Sequence, residues 1–271
     1  MIIYSWNICR STEAWRRLAG SDGDVALVQE AVAPPSDLDI EVDDAPWSTA
    51  GAGLKRPWRA AIGRLSDRVS IHARPSLPIP QAEMGQLVSC RAGTMAVADV
   101  QVPGAEPITV VSMYAAWEKP AAETGSAWIV ADASAHRLIS DLSLLIGRQN
   151  GHRIIAAGDL NLLYGHGESG SPYWARRYMT VFDRMEAIGL RFVGPQSPNG
   201  AQAQPWPAEL PADSKNVPTF RTRRTDPSTA TRQLDFVFAS ESIADRVQTV
   251  ALNRPEEWGP SDHCRVRITV S

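Results

Sequence analysis

Eight polar side chains stand where apolar runs of this chain end: Asn7, Glu30, Tyr114, Asp159, Asn161, Asp235, Asp262 and His263. A strand that delivers polar groups at its tip is a common way to build a site. The set is rich in hard oxygen donors and contains no cysteine, which favours magnesium, manganese or calcium over zinc. One histidine among carboxylates suits general acid or base work, with an acidic partner fixing its tautomer. Two asparagines and a tyrosine offer neutral donors for an anionic oxygen. If these residues converge, they describe metal-assisted attack of water on phosphorus. The chain has no P-loop Gly-Lys motif and no Gly-x-Ser-x-Gly elbow, so nucleotide hydrolysis of that type and α/β-hydrolase chemistry are disfavoured.

Each residue also has a plainer reading. Gly158-Asp159-Leu160-Asn161 would serve as a turn, where Asp and Asn are favoured. On an extended backbone Asp159 and Asn161 would project to the same side. Glu30 would serve as a surface cap on its strand. Asp235 would be a lone strand carboxylate, although burial without a partner is costly. His263 alone would read as a buried, hydrogen-bonded histidine, and its place beside Asp262 turns the balance towards catalysis. A thiol nucleophile at Cys264 is disfavoured, because strand neighbours face opposite sides. His72, His136, His152 and His166 carry no pattern and read as surface or structural. Trp117, Trp174 and Trp206 are candidates for stacking on bases.

The elements that must position these residues are mostly strands. Residues 1–8, 24–30, 108–114, 153–161, 233–239, 245–252 and 264–270 read as apolar strands, and 46–71 as alternating antiparallel ones. Residues 87–91 and 94–102 read as a hairpin around Ala92-Gly93, and 218–220 as the start of a further strand. Helices are predicted over 11–18, with Ser11 or Thr12 as N-cap, over 126–149 and over 173–188. Residues 195–218 form a long loop rich in proline, glutamine and alanine, and loops of that length are usually functional or disordered. Lys55, Arg56, Arg59, Arg64, Arg68 and Arg74 make one region locally basic, which reads as solvated strand faces ahead of a phosphate-binding patch.

The chain has 271 residues, 44% hydrophobic and 21% charged, an ordinary globular composition. With many strands, substantial helices and no linker, one α/β domain over 1–271 is expected. Net charge is −3 and the sequence pI about 6.0, which excludes a strongly basic nucleic-acid coat protein but not a local basic groove. Cys9, Cys90 and Cys264 form no Cys-x-x-Cys pattern and suit a reducing compartment. No stretch approaches the roughly 20 apolar residues of a membrane span. Residues 1–7 are too short and polar for a signal peptide. A cytoplasmic location follows as an expectation. Oligomeric state is not legible.

The ordered series Ser5-Trp6-Asn7, Leu27-Val28-Gln29-Glu30, Gly158-Asp159-Leu160-Asn161, Leu234-Asp235-Phe236-Val237 and Ser261-Asp262-His263 resembles the endonuclease/exonuclease/phosphatase superfamily, the deoxyribonuclease I-like fold. The resemblance runs from the first strand to the last. It implies a four-layer α/β fold, a two-sheet β-sandwich flanked by helices. It implies that Glu30 ligates the metal, with Asn7 and Asp262 close to it. Asp159 would orient or deprotonate the attacking water, Asn161 would bind phosphate oxygens, and His263, oriented by Asp235, would contact the phosphate or act as base or acid. Tyr114 stands where abasic-site endonucleases have Tyr and deoxyribonuclease I has His. The following Ala115-Ala116-Trp117 departs from the Val-Pro-Asn of the abasic-site enzymes.

The leading expectation is therefore a Mg2+- (or Mn2+-) dependent phosphodiester hydrolase acting on DNA or RNA. The alternative is a phosphatase or phosphodiesterase of a small-molecule or lipid-headgroup ester, and a third is a catalytically silent binding module.

Overall fold

The computed structural model describes residues 1–51, 54–116, 131–146 and 151–271. In chain order the elements begin with β1 (Ile2–Asn7), α1 (Thr12–Ala19), β2 (Val25–Ala31) and β3 (Glu41–Val42). They continue with β4 (Thr49–Gly51), β5 (Leu54–Arg56), β6 (Arg59–Arg64), β7 (Ser70–Ala73), β8 (Leu77–Pro78) and β9 (Val88–Ser89). Then come β10 (Met95–Gln101), β11 (Ile108–Tyr114), α2 (Ala131–Ile146), β12 (Ile154–Asp159) and α3 (Pro172–Ala187). The chain closes with β13 (Leu190–Gly194), β14 (Asp235–Ser240), β15 (Val247–Leu252) and β16 (Arg265–Val270).

Two mixed six-stranded sheets carry the fold, one ordered β15-β16-β1-β2-β6-β3 and the other β13-β14-β12-β11-β10-β7. Their central strands are buried on both faces, so period-two alternation sorts one apolar residue from the next apolar residue. Ile3, Val25 and Leu27 of the first sheet meet Val110, Ile155, Ala157, Val237 and Ala239 of the second in a shared inner core. The alternate residues Tyr4, Trp6, Ala26 and Val28 face outward and pack with Trp15 and Leu18 of α1. On the other flank Val111, Ala156, Phe236 and Phe238 pack with Leu138 and Leu142 of α2 and with Val181 and Phe182 of α3. The result is the expected four layers: helix, sheet, sheet, helices.

Local chemistry fixes the ends of these elements. Ser11 caps α1 by accepting from the Ala14 N–H, and Ser171 caps α3 by accepting from the Trp174 N–H. Gly158 has φ +153°, and a Cβ there would fall 1.9 Å from the Met113 carbonyl oxygen, so β11 and β12 approach closely only because this residue is glycine.

Several sequence expectations are corrected. Residues 87–91 do not pair with 94–102. β9 pairs in parallel with β8, while β10 pairs with β11 and β7. The reason is a buried carboxylate: Asp141 of α2 accepts the Cys90 N–H at 2.9 Å and draws that segment to the helix. Residues 218–220 give only isolated bridges, from Phe220 to Arg232 and to His263. β13 follows directly on Gly189 and is missing from the sequence reading. The loop 195–218 contains no helix or strand. It is nevertheless tied down by the Asn253 side chain to Ala201 and Pro218 and by Gln233 to Pro195 and Val217. Of the helix expected over 126–149, only Ala131–Ile146 falls within the described residues. The basic stretch resolves into pairs, with Arg59 on Asp43, Arg64 on Glu41 and Asp67, and Arg68 on Asp24. Among the described residues no helix is long and apolar enough to cross a membrane.

Candidate active site

The alternation that builds the inner core also places the site. Following Ile3, Ser5 and Asn7 along β1, the inner face ends at Asn7. Along β11 it ends at Tyr114, along β12 at Asp159, and along the antiparallel β14 it begins at Asp235, which lies directly opposite Asp159. The inter-sheet layer thus runs out, at one end of the sandwich, in four polar side chains.

Glu30 does not follow from alternation, which would put it on the outer face with Val28. One extra residue in β2 relative to β6, between Val28 and Ala31, forms a bulge, and Glu30 sits in it with φ +46°. The bulge turns its carboxylate toward the same end. There it accepts from the Tyr114 hydroxyl at 3.0 Å.

Asn161 likewise arrives by a turn. β12 ends at Asp159, and Asn161 has φ +51° with its N–H donated to Asp159 Oδ1 at 2.9 Å. Its side-chain amide donates to Asp159 Oδ2 and to the Ala115 carbonyl, each at 3.1 Å. Gly-Asp-Leu-Asn is therefore a turn, and it is the turn that brings Asn161 to the side of Asp159.

His263 precedes β16 and is held on several sides. Its N–H donates to Ser261 Oγ, whose hydroxyl donates to the Asn7 carbonyl, and its own carbonyl accepts from Trp6 Nε1. Its Nδ1 lies 2.8 Å from Asp235 Oδ2, and its Nε2 lies 3.8 Å from Asp159 Oδ2. All three side chains are buried. Burial pulls the imidazole's pKa down, but the Asp235 and Asp159 carboxylates outweigh it and hold it well above the usual histidine value. Burial drives the Asp159 carboxyl above its usual range, a tendency that His263 opposes and Asp235 adds to. Burial and the Glu30 carboxylate push the Tyr114 phenol up, so it stays a neutral donor.

Asn7, Glu30, Tyr114, Asp159, Asn161, Asp262 and His263 line one cleft of about 350 Å³. Asp235 stands behind His263. All eight sequence candidates are brought together. A larger cavity of about 670 Å³ lies among residues of β6, β10 and the loops beside them, but it gathers no comparable set of acid, base and amide groups.

The donors suit a divalent cation with a preference for oxygen. Glu30 and Asp262 offer carboxylates. Asn7 gives its amide N–H to Asp159 and accepts the Cys9 N–H on Oδ1, an oxygen with a second lone pair to offer. Cys9 also lines the cleft, but burial raises its thiol pKa, and a neutral thiol is a poor ligand. Ligand atoms of Asp159, Asp235 and His263 also fall within 4.8 Å of one another. There the direct hydrogen bond between Nδ1 and Asp235 occupies the space a cation would need, so that trio makes a better acid–base unit than a metal centre. Cys264 is buried, with its thiol pKa raised by burial, and points to no nucleophilic role.

Cys9, Arg10, Phe220, Arg223, Arg232 and Leu234 complete the cleft; the sequence singles out Arg223 and Arg232 only as local arginines ahead of Asp235, and gives the other four no place in the site. Backbone conformation, which the sequence did not signal, marks two of them. Five non-glycine residues have positive φ among the described residues, and Cys9 (45°), Arg10 (63°), Glu30 and Asn161 all line this cleft. Trp174 packs against the helical core and Trp206 donates to the Leu210 carbonyl, so neither lines the cleft; Trp117 lies outside the described residues.

A model of the endonuclease/exonuclease/phosphatase family matches residues 4–263. Comparison with curated proteins finds no match. Among solved structures, the endonuclease domain of TRAS1, a telomere-specific non-LTR retrotransposon, aligns with 99% of this chain and 97% of its own at 18% identity and a TM-score of 0.61. The AP endonuclease LMAP of Leishmania major aligns over 99% and 87% at 16% identity and 0.62. The 3'-5' exonuclease NExo of Neisseria meningitidis aligns over 100% of both chains at 14% identity and 0.57. At these identities the likeness speaks to fold.

Proposed function

The chain belongs to the endonuclease/exonuclease/phosphatase family and is a hydrolase of phosphate esters, and from that footing we propose that it is a Mg2+- or Mn2+-dependent phosphodiesterase whose substrate is nucleic acid. The observation that carries the reading is the convergence of seven of the eight residues on one cleft, with Asp235 behind them paired to the buried His263. Similar folds in a retrotransposon endonuclease and an AP endonuclease support nucleic acid as the substrate. We take residues 1–271 as one domain. The three free cysteines, Cys9, Cys90 and Cys264, support a reducing, cytoplasmic setting.

In this reading Glu30 and Asp262, with Asn7 Oδ1, would hold the cation, whose charge would balance that developing on the phosphate. Asn161 and Tyr114, whose donors rest on Asp159, the Ala115 carbonyl and Glu30 here, would turn them to the non-bridging oxygens when substrate binds. Asp159 and His263 Nε2 face each other at the cleft floor, placed to take and give the protons of attacking water and leaving oxygen. Asp235 fixes the imidazole tautomer through Nδ1.

The test is cleavage of labelled DNA and RNA, single- and double-stranded, with Mg2+, Mn2+ or EDTA, beside His263→Ala. Metal-dependent cutting that drops by about 10²- to 10⁴-fold in the variant is expected. Intact polynucleotide under every condition rejects the nuclease reading. A second reading, release of phosphate from a terminal monoester, is favoured by the resemblance to a 3' phosphatase, NExo, solved with a product DNA hairpin at a TM-score of 0.55 and 14% identity. Phosphate release without internal cutting would select it.

A further inference from the structure

Trp58 stands between β5 and β6 and does not line the cleft. Its indole nevertheless packs edge-on against the ring of Tyr114, with centroids 5.0 Å apart and planes at 82°. An edge-to-face pair fixes the orientation of a ring as well as burying it. Orientation matters at Tyr114, because its hydroxyl donates to Glu30 Oε1 at 3.0 Å. The other oxygen of that carboxylate, Oε2, approaches Arg10 Nε only to 3.9 Å, beyond hydrogen-bond reach. The phenol thus holds one oxygen of Glu30 and leaves the second for a ligand.

The strand pairing that aims Glu30 also delivers Trp58. Ala61 lies opposite Val28 and Arg59 opposite Ala31, so Gln29 and Glu30 of β2 together face the single residue Ala60. Trp58 immediately precedes Arg59, and Arg59 is pinned. Its buried guanidinium donates to Asp43 Oδ2 at 2.9 Å and to the Asp43 carbonyl at 3.1 Å, and it lies 4.2 Å from the centroid of the Trp47 ring. Across the sandwich the Ala60 N–H donates to the Gly93 carbonyl at 2.7 Å, and the Tyr114 N–H donates to the Thr94 carbonyl at 2.8 Å. The backbones that carry the indole and the phenol are therefore tied to consecutive residues of one turn. The indole is held in its own right by the Arg56 guanidinium, 4.8 Å from its centroid. Arg56 Nη1 is buried and has no hydrogen-bond partner among the described residues, which makes the indole an important support for that group.

Resting on the reading of Glu30 as a metal ligand, we propose that Trp58 is a positioning residue for the metal site. Its indole fixes the ring of Tyr114, and the Tyr114 hydroxyl fixes Glu30. Cation affinity then depends on a side chain that touches neither cation nor substrate. Removing the indole lets the phenol ring turn and frees Glu30 Oε1. Removing the hydroxyl first leaves the indole nothing to transmit.

The experiment measures Mn2+ binding to the free protein by calorimetry, with no substrate present, together with thermal midpoints. The proteins are the wild type, Glu30→Gln, Tyr114→Phe, Trp58→Leu, Trp58→Phe and the double variant Trp58→Leu/Tyr114→Phe. Tyr114→Phe is expected to weaken binding about tenfold or more, as the loss of a group that orients a ligand does. Trp58→Leu is expected to weaken it by a similar factor, and the double variant by no more than Tyr114→Phe alone. Trp58→Phe keeps an aromatic ring with a shorter reach. It is expected to weaken binding about threefold, and it decides the question if Trp58→Leu does not fold. A tryptophan that served packing alone would lower the thermal midpoint and leave Mn2+ affinity unchanged. That result, or losses that add in the double variant, overturns the proposal while leaving Glu30 as a ligand. Absence of Mn2+ binding to the wild type, or binding to Glu30→Gln as tight as to the wild type, overturns the reading of Glu30 and the proposal with it.

Discussion

His263 is held so firmly that its chemistry is fixed by its neighbours. Its Nδ1 is committed to Asp235, and only Nε2 faces the cleft. Among the described residues Asp235 Oδ1 has no hydrogen-bond partner although it is buried, so the imidazole is the main partner of this carboxylate. Replacing Asp235 by Asn keeps the shape, removes the charge and frees the tautomer. A fall in kcat of about 10²- to 10⁴-fold is expected, close to that of His263→Ala, with the double variant no worse than either alone. Additive losses in the double variant would show that Asp235 acts apart from the histidine. Tyr114 tests the other side of the cleft. Its hydroxyl donates to Glu30, so Tyr114→Phe leaves a proposed metal ligand less well oriented. The Mg2+ concentration needed for half-maximal activity should rise about 10- to 100-fold, with activity recovered at high Mg2+. Glu30→Gln should not recover in that way.

At the scale of elements, the legible part of the molecule was the part governed by alternation. Asn7, Tyr114, Asp159 and Asp235 close the inner faces of their strands, and a two-residue period finds such positions from sequence. Glu30 was legible only as the polar end of an apolar run, because the bulge that aims it is a matter of pairing with β6. Arg10 was missed, and Arg223 was legible only as one of several arginines ahead of Asp235, for a related reason. No glycine announces the left-handed turn at Arg10, and Arg223 owes its place to long-range ties around Arg221. β9 was misassigned because a carboxylate in α2, far away in sequence, outbids the local hairpin. Two predictions belong here. Gly158→Ala should destabilise the fold by about 3 kcal/mol or more, read by chemical denaturation, because its Cβ would collide with the Met113 carbonyl. Asp24 joins β1, β2 and the 66–68 turn by accepting from the Ile2 N–H, the Ser66 hydroxyl and the Arg68 guanidinium. Burial alone would raise its pKa, but these bonds outweigh burial and hold it below the usual value. Its contribution is therefore present above the unfolded pKa of about 3.9 and is lost as pH falls through the lower folded value. Asp24→Asn should lower stability by about 1–3 kcal/mol near pH 7 and by much less near pH 2. An equal loss at both values would refute the linkage.

The whole molecule carries a net charge of −3, which repels a polyanion at long range. Much of its arginine is spent within the structure: Arg16 faces Asp37, Arg153 faces Glu106, Arg177 faces Asp132 and Arg191 faces Asp245. Attraction for nucleic acid must then come from the guanidinium groups that line the cleft, chiefly Arg10 and Arg223, since Arg232 is held by Glu168. Two phosphate contacts release few counterions. The logarithm of affinity should fall with the logarithm of salt at a slope of about −1.5 for a single strand and about −2 for a duplex. Measuring KM for an oligonucleotide across salt, at constant free Mg2+, checks this directly. A slope near −6 or steeper would mean that a basic surface beyond the cleft rim takes part in binding. A slope near zero would mean that recognition is confined to the phosphate at the metal, and would favour a small ester over a polymer as the substrate.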